Sequence, residues 1–292
     1  MSKSSEILKN YNTSLLDDVV AKQIESIIDK EYVSNNNPEV YKQCLSFIDL
    51  TSLNSTDTVA EIEAMTQKVN HFNIQFPHLQ NVGAICVSPS MVSTVKNTLQ
   101  IPIGIASVAG GFPMSQTFIE VKIAETSMAV LEGATEIDVV ISLGKFLEGN
   151  YDAVLEELTE LKAACREAHL KVIIESGALK TASNIKIASL LAMASGADFI
   201  KTSTGKIPVA ATLEATFVMC TAIKEWYEHT GIKVSYKPAG GIVTTDDAVK
   251  HYTLVKHILG KDWLNSAMFR IGASRLANNL LSSIEGHEVK YF

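Results

Sequence analysis

EIDVVI (136–141), AVLEELTELKAACREAH (153–169), KVIIE (171–175), NIKIASLLAMAS (184–195) and FIKTS (199–203) follow one another with only short connections between them. Short runs rich in Ile, Val and Phe alternate with amphipathic stretches of a dozen residues or more. The short runs suit buried strands and the longer ones suit helices. Strands that alternate with helices imply a parallel sheet, since a parallel neighbour is reached only through a crossover.

The same unit extends in both directions. Strands are predicted at Leu45–Leu50, Val82–Val87, Ile101–Ser107, Glu136–Ile141, Lys171–Glu175, Phe199–Ser203, Val234–Lys237 and Phe269–Gly272. Helices are predicted at Glu61–Phe72, Met91–Leu99, Gln116–Leu131, Ala153–His169, Asn184–Ser195, Leu213–His229 and Asp246–Leu259. Eight units over about 250 residues predict an α/β fold, a (β/α)8 TIM barrel. A doubly wound open sheet is the competitor, and its G-x-G-x-x-G turn is absent after the first strand, where Asp49-Leu50-Thr51-Ser52-Leu53 stands. Residues 1–40 read as a short helical N-terminal extension, with a helix over Ser14–Ile28 and a loop at Ser34–Pro38. The barrel is expected over residues 41–285 and a tail over 286–292.

Composition narrows the function classes. The chain has 292 residues, 47% of them hydrophobic and 20% charged, which is ample for a large core and excludes a disordered chain. Lys and Arg number 25 against 32 Asp and Glu, a net charge of −7, so no nucleic-acid partner is expected. The four cysteines (44, 86, 165, 220) are far apart, and no C-x-x-C occurs. The histidines show no H-x-H or H-E-x-x-H spacing, and no metal site and no cofactor are expected. No signal peptide and no membrane span are read, so the expectation is a soluble protein of a reducing compartment, the cytoplasm.

Barrel chemistry sits at the C-terminal ends of the strands. Alternation along the strands turns Ile48, Ile137, Val139, Ile200 and Tyr236 toward the helices, and Asp49, Asp138, Lys201 and Lys237 into the interior. A lone Asp or Lys at a strand end is ordinarily a cap, an ion-pair partner or a solvated charge. Four on one interior face are costly to bury without a task, although mutual pairing can satisfy them. A lysine whose pKa is lowered by burial and a second cation attacks carbonyls and forms an iminium. Nearby carboxylates then move protons. Thr204-Gly205-Lys206, Gly240-Gly241 and Gly272-Ala273-Ser274 follow strands six, seven and eight, where barrels bind phosphate. Lys206, Ser274 and Arg275 can add charge or hydroxyl contacts, and ordinary turn glycines are the alternative. Cys86 faces inward from strand two, as core or as pocket wall. Glu175 ends strand five, as a lysine's partner or as a catalyst.

The segments Phe199-Ile200-Lys201-Thr202-Ser203-Thr204-Gly205-Lys206 and Lys237-Pro238-Ala239-Gly240-Gly241 resemble those of the deoxyribose-phosphate aldolases. So do Asp49–Leu53, Gly83–Val87, Glu136–Val140 and Phe269–Ser274, in the same order along the chain. The resemblance implies a metal-independent class I aldolase of deoxyribonucleotide breakdown. Such an enzyme cleaves 2-deoxy-D-ribose 5-phosphate reversibly to D-glyceraldehyde 3-phosphate and acetaldehyde, so a phosphorylated sugar is the small-molecule partner. It further implies Lys201 as Schiff-base nucleophile, Lys237 as the cation lowering its pKa, and Asp138 with a water in proton transfer. Asp49 and Cys86 would lie in the pocket, and Gly205, Lys206, Gly240, Gly241, Gly272 and Ser274 in the phosphate region. Three positions depart from the pattern. Val243 stands where many members carry Arg; either Arg275 restores that charge or phosphate affinity is lower. Gly177-Ala178-Leu179 replaces Gly-Glu-Leu. Tyr291 matches a proton-transfer tyrosine of the tail by position only, and a frayed terminus is the alternative. A different imine-forming aldolase and a silent sugar-phosphate-binding barrel are the competing functions. The oligomeric state, a homo-oligomer included, is left open.

Overall fold

The computed structural model describes residues 2–292. The eight strands are β1 Ile48–Thr51, β2 Ala84–Val87, β3 Gly104–Ala109, β4 Glu136–Val140, β5 His169–Ile173, β6 Phe199–Lys201, β7 Ser235–Lys237 and β8 Ile271–Ala273. They are parallel and pair in the order β7-β6-β5-β4-β3-β2-β1-β8. Bridges Tyr236–Phe269 and Ala239–Gly272 join β7 to β8 and close the ring. The expected (β/α)8 TIM barrel is the observed fold.

The helices are α1 Lys3–Leu8, α2 Asp17–Asn35, α3 Pro38–Ser46, α4 Val59–Gln75, α5 Val92–Thr98, α6 Ile119–Leu131 and α7 Leu143–Leu147. They continue as α8 Tyr151–Cys165, α9 Ser176–Leu179, α10 Ala182–Ala194, α11 Leu213–Thr230, α12 Thr245–Leu259 and α13 Leu276–Glu285. Local chemistry starts several of them. Thr58 with Glu61 and Thr244 with Asp247 form reciprocal caps on α4 and α12, and Thr181 and Thr212 cap α10 and α11. The main core lies between strands and helices and includes Ile48, Ile137, Val139, Ile200 and Tyr236. A smaller apolar cluster of Cys86, Ala106 and Val108, with Leu53 and Phe112 against it, is separate from that core.

Several predicted boundaries move. The first strand begins at Ile48, because Asn37 caps and Pro38 opens a helix that carries Leu45 and Ser46. Strand five spans 169–173 instead of 171–175, which leaves Glu175 in the loop beyond it. The predicted loop at Ser34–Pro38 shrinks to Asn36–Asn37. Asn35 is buried in the last turn of α2, where it donates to Thr253 Oγ1 (3.1 Å) and accepts from Lys256 Nζ (2.6 Å). Helix α1 was not expected; its Ser4 N–H donates to Asp152 Oδ1 at 2.8 Å. The tail is docked, not frayed. Tyr291 and Phe292 pack on Phe72, and the Tyr291 hydroxyl donates to the Lys68 carbonyl at 2.6 Å.

One buried group ties the helix layer to pH. His251 on α12 is buried, and its Nδ1 bonds Thr216 Oγ1 (2.7 Å), which also accepts from the Tyr236 hydroxyl (2.8 Å). Burial lowers the His251 pKa from 6.5 to about 4, against an opposing pull from Asp247. Between those values the unfolded chain binds a proton that the folded chain refuses. Stability therefore falls as pH drops from 6.5 toward 4, by about 3 kcal/mol from this group. Denaturant unfolding at pH 7 and pH 4 should show a larger acid loss in wild type than in His251→Asn, which cannot titrate. Equal losses would contradict this assignment.

Candidate active site

Inside the barrel, alternate positions of the strands bring seven charged side chains together: Asp49, Glu136, Asp138, Lys171, Lys201, Lys237 and Arg270, all buried. Lys201 and Lys237 sit side by side on paired strands, as do Asp138 and Lys171. Lys201 Nζ donates to Asp138 Oδ2 at 2.7 Å, and Lys237 Nζ reaches the same oxygen at 2.8 Å. Lys237 also bonds Asp49 Oδ2. Lys171 bonds Asp49 Oδ2 at 2.8 Å and contacts Glu136. Arg270 closes the network, with Nη1 at 2.6 Å from Asp49 Oδ1 and Nη2 at 3.0 Å from Glu136 Oε1.

Glycines make room for these long side chains. A Cβ on Gly104 would lie 2.6 Å from Glu136 Oε1, and one on Gly272 would lie 2.7 Å from the Ala239 Cβ and 3.1 Å from Lys237 Cε. No side chain larger than hydrogen fits at either position without displacing the network or the loop after β7.

The network holds four cations against three carboxylates when every group is ionised. Burial of each ion costs several kcal/mol, so an unbalanced charge is expensive. Lys201 is the cation with the least compensation. Among the described residues its only carboxylate contact is Asp138 Oδ2, which it shares with Lys237, whereas Lys237 touches two acids and Lys171 touches three, Asp138 Oδ1 being 4.0 Å away. Burial lowers the Lys201 pKa, Asp138 pulls it back up, Lys237 lowers it again, and the net shift is downward. Lys237 goes the other way: against burial, Asp138 and Asp49 hold its pKa well above the ordinary value. Burial would raise both acids, but Lys171, Lys237 and Arg270 keep Asp49 well below the usual carboxylate range, and Lys201, Lys237 and Lys171 do the same for Asp138. Asp138 Oδ1 has no hydrogen-bond partner among the described residues.

Lys201 borders a cavity of about 330 Å³ at the C-terminal ends of the strands. Its wall includes Thr204, Gly205, Lys206, Gly240, Gly241, Val243, Gly272, Ser274 and Arg275. Gly205, Gly240 and Gly241 have φ of +73°, +81° and +81°, a conformation that glycine adopts freely. Lys206 Nζ donates to the Leu53 carbonyl at 2.6 Å. Ser274 and Arg275 are exposed at the rim. Cys86 is fully buried in the small apolar cluster, and burial raises its pKa, so it stands near the lysines as a neutral thiol.

The structure thus brings together all four interior charges expected from the sequence and lines one cavity with the glycine loops. Tyr291 lies apart, on α4 outside the barrel. Glu175 meets no lysine among the described residues; its two oxygens accept from Thr204. Sequence reasoning missed Glu136, Lys171 and Arg270. The signal for two of them was present: Glu136 and Arg270 precede Asp138 and Gly272 by two residues and share their strand face.

Residues 44–262 match the family described as DeoC/LacD family aldolase. The human protein named deoxyribose-phosphate aldolase is 40% identical over 256 residues, 84% of this chain and 80% of the human one. The mouse protein of the same name is 40% identical over 257 residues, again 84% and 80% of the two chains. Among solved structures, "QR15, an Aldolase" superposes with a TM-score of 0.68 at 28% identity, covering 83% of this chain and 96% of its own. The tetrameric deoxyribose phosphate aldolase of Aeropyrum pernix shares the fold, with a TM-score of 0.65 at 23% identity over 89% of this chain and 96% of its own. A barrel with a buried lysine pair at its mouth, matched over most of its length to aldolases, leaves one conclusion: the chain belongs to the DeoC/LacD family of aldolases.

Proposed function

We propose that the protein catalyses reversible aldol cleavage of 2-deoxy-D-ribose 5-phosphate to D-glyceraldehyde 3-phosphate and acetaldehyde, with residues 41–285 carrying the activity. The observation that carries the reading is the Lys201 amine, 2.7 Å from Asp138, in a buried network one positive charge in excess. A neutral Lys201 restores the balance and is the nucleophilic form. It adds to the sugar aldehyde and loses water to form an iminium. The iminium takes up the electron pair of the breaking C2–C3 bond as an enamine, while the C3 hydroxyl gives up its proton and becomes the departing aldehyde. Protonation at C2 and hydrolysis release acetaldehyde. Asp138, whose Oδ1 is free to accept, moves these protons with a water. Lys237 stays cationic, keeps Lys201 neutral and leaves Asp138 ionised. Asp49 holds Lys237 in place, and the Cys86 cluster supplies an apolar wall. Recognition of the phosphate end rests on the glycine loops, with Lys206, Ser274 and Arg275 around them.

Lys201→Arg should abolish turnover with the fold intact, because a guanidinium stays protonated and forms no imine. Borohydride with acetaldehyde should add one reduced two-carbon adduct to the Lys201 peptide of wild type and none to the variant. Retained cleavage, or an adduct on another lysine, would remove Lys201 from this role.

Arg275 takes the place of the cation missing at Val243. Arg275→Ala should weaken the phosphorylated substrate by about tenfold to a hundredfold, the worth of one charge-assisted contact, and spare unphosphorylated deoxyribose. Equal effects on both sugars would leave Arg275 a solvent-facing residue.

The protein also carries a self-complementary face. Phe118, at the N-cap of α6, and Val121, Ala124, Met128 and Leu131 along the helix are exposed in a row. Their spacing is symmetric about the middle of the helix, so a second copy in antiparallel array would set Phe118 on Leu131 and Val121 on Met128. This is the pattern of a two-fold interface. Met128→Asp should shift the protein toward monomer in sedimentation at micromolar concentration. A wild type already monomeric there would exclude this pairing.

A further inference from the structure

Glu175 is a buried carboxylate that the reaction does not use. It follows β5 with its backbone in the left-handed region, at φ +52° and ψ +59°, unusual for a residue other than glycine. It makes no ion pair with any described residue and does not line the cavity. Both of its oxygens serve one residue of the β6–α11 loop: Oε1 accepts the Thr204 N–H at 3.1 Å, and Oε2 accepts the Thr204 hydroxyl at 2.6 Å.

The consequence lies in the hydroxyl's single hydrogen. Thr204 lines the cavity three residues after Lys201, at the point where the sequence places phosphate contacts. Its hydrogen is committed to Glu175, and its oxygen accepts the Lys206 N–H at 3.0 Å. A hydroxyl so held has no hydrogen to give an anion. It transmits the position of Glu175 to Gly205 and Lys206 instead. Neighbouring bonds hold the same two loops together. The Ser176 N–H donates to the Thr202 carbonyl at 2.9 Å, and a Cβ on Gly177 would lie 2.1 Å from the Val209 carbonyl oxygen. On the far side, Gly205 stands against Gly240, where a Cβ on the latter would come within 2.9 Å of the Gly205 Cα. The Glu175 contact therefore sets one wall of the anion pocket against the other.

We propose that Glu175 is a positioning residue for the phosphate subsite, acting through Thr204, and that Thr204 is a brace and not a phosphate ligand; this rests on the phosphorylated-sugar reading above. A strained backbone at Glu175 fits this role, since strain persists where surrounding structure holds it for a function. Lysine chemistry is left to the Asp138 network, so the damage from losing the brace falls on phosphate recognition.

The test is the ratio of kcat/KM for deoxyribose 5-phosphate to that for deoxyribose, measured in wild type, Glu175→Gln, Thr204→Val, Thr204→Ser and the Gln/Val double variant. An amide at 175 presents a donor to Thr204 and breaks the paired contact. Glu175→Gln and Thr204→Val should each lower the ratio by about tenfold, through KM more than kcat. The double variant should be no worse than the worse single, because both remove one brace. Thr204→Ser, which keeps the hydroxyl, should restore the ratio to near wild type. If Glu175→Gln does not fold, the valine and serine variants at 204 still decide between brace and ordinary packing. Equal losses on both sugars, or additive losses in the double variant, would overturn the proposal. A wild type with no preference for the phosphorylated sugar would instead overturn the substrate reading on which it rests.

Discussion

The shared oxygen of Asp138 is the contact on which the site depends. Two lysines on adjacent strands, Lys201 and Lys237, approach Asp138 Oδ2 at 2.7 and 2.8 Å in a fully buried setting. One carboxylate oxygen cannot compensate two ammonium groups away from water at the strength each would need alone. Lys237 has Asp49 as a second partner and Lys201 does not. The inequality sets the two lysines apart: the pKa of Lys201 is lowered and that of Lys237 is raised, and on this the proposal of Lys201 as the nucleophile rests.

The rest of the barrel serves that inequality. Lys171, Glu136 and Arg270 form a second tier that fixes Asp49 from the other side, which keeps Asp49 ionised and turned to Lys237. Gly104 and Gly272 leave the volume that the long side chains occupy. The helix layer excludes water, which raises the strength of every charge interaction inside. A net charge of −7 over the chain thus coexists with a locally positive interior. Bulk charge bears on solubility and long-range attraction, and the proposed reaction rests on the local charge of the seven buried side chains.

Much of this was legible in the residues. Eight apolar runs separated by helical stretches read as a barrel because parallel strands buried on both faces lose the polar alternation of a solvated sheet. Asp49, Asp138, Lys201 and Lys237 stood out because charge is rare in such runs. The second tier was harder to see. Lys171 is a single charge in the middle of β5 and Arg270 one just before β8, and only the assembled barrel shows that they meet acids from elsewhere in the chain. Glu175 and Thr204 are separated by 29 positions in two loops, and no periodicity links loop residues. One boundary shifted where side chains far off in sequence bear on the outcome, as Thr253 and Lys256 do for Asn35 at the end of α2, while the start of β1 shifted through the local cap at Asn37 and Pro38. The docking of Tyr291 and Phe292 on Phe72 is of the same kind.

Lysine side-chain NMR tests the central claim most directly. Protein labelled with carbon-13 and nitrogen-15 at lysine, with resonances assigned through Lys201→Arg and Lys237→Leu, would be titrated from neutral to alkaline pH. The account predicts that Lys201 loses its proton below the ordinary lysine value of 10.5 while Lys237 is still charged. A Lys201 that stays protonated up to that value, or a Lys237 that deprotonates first, would contradict it.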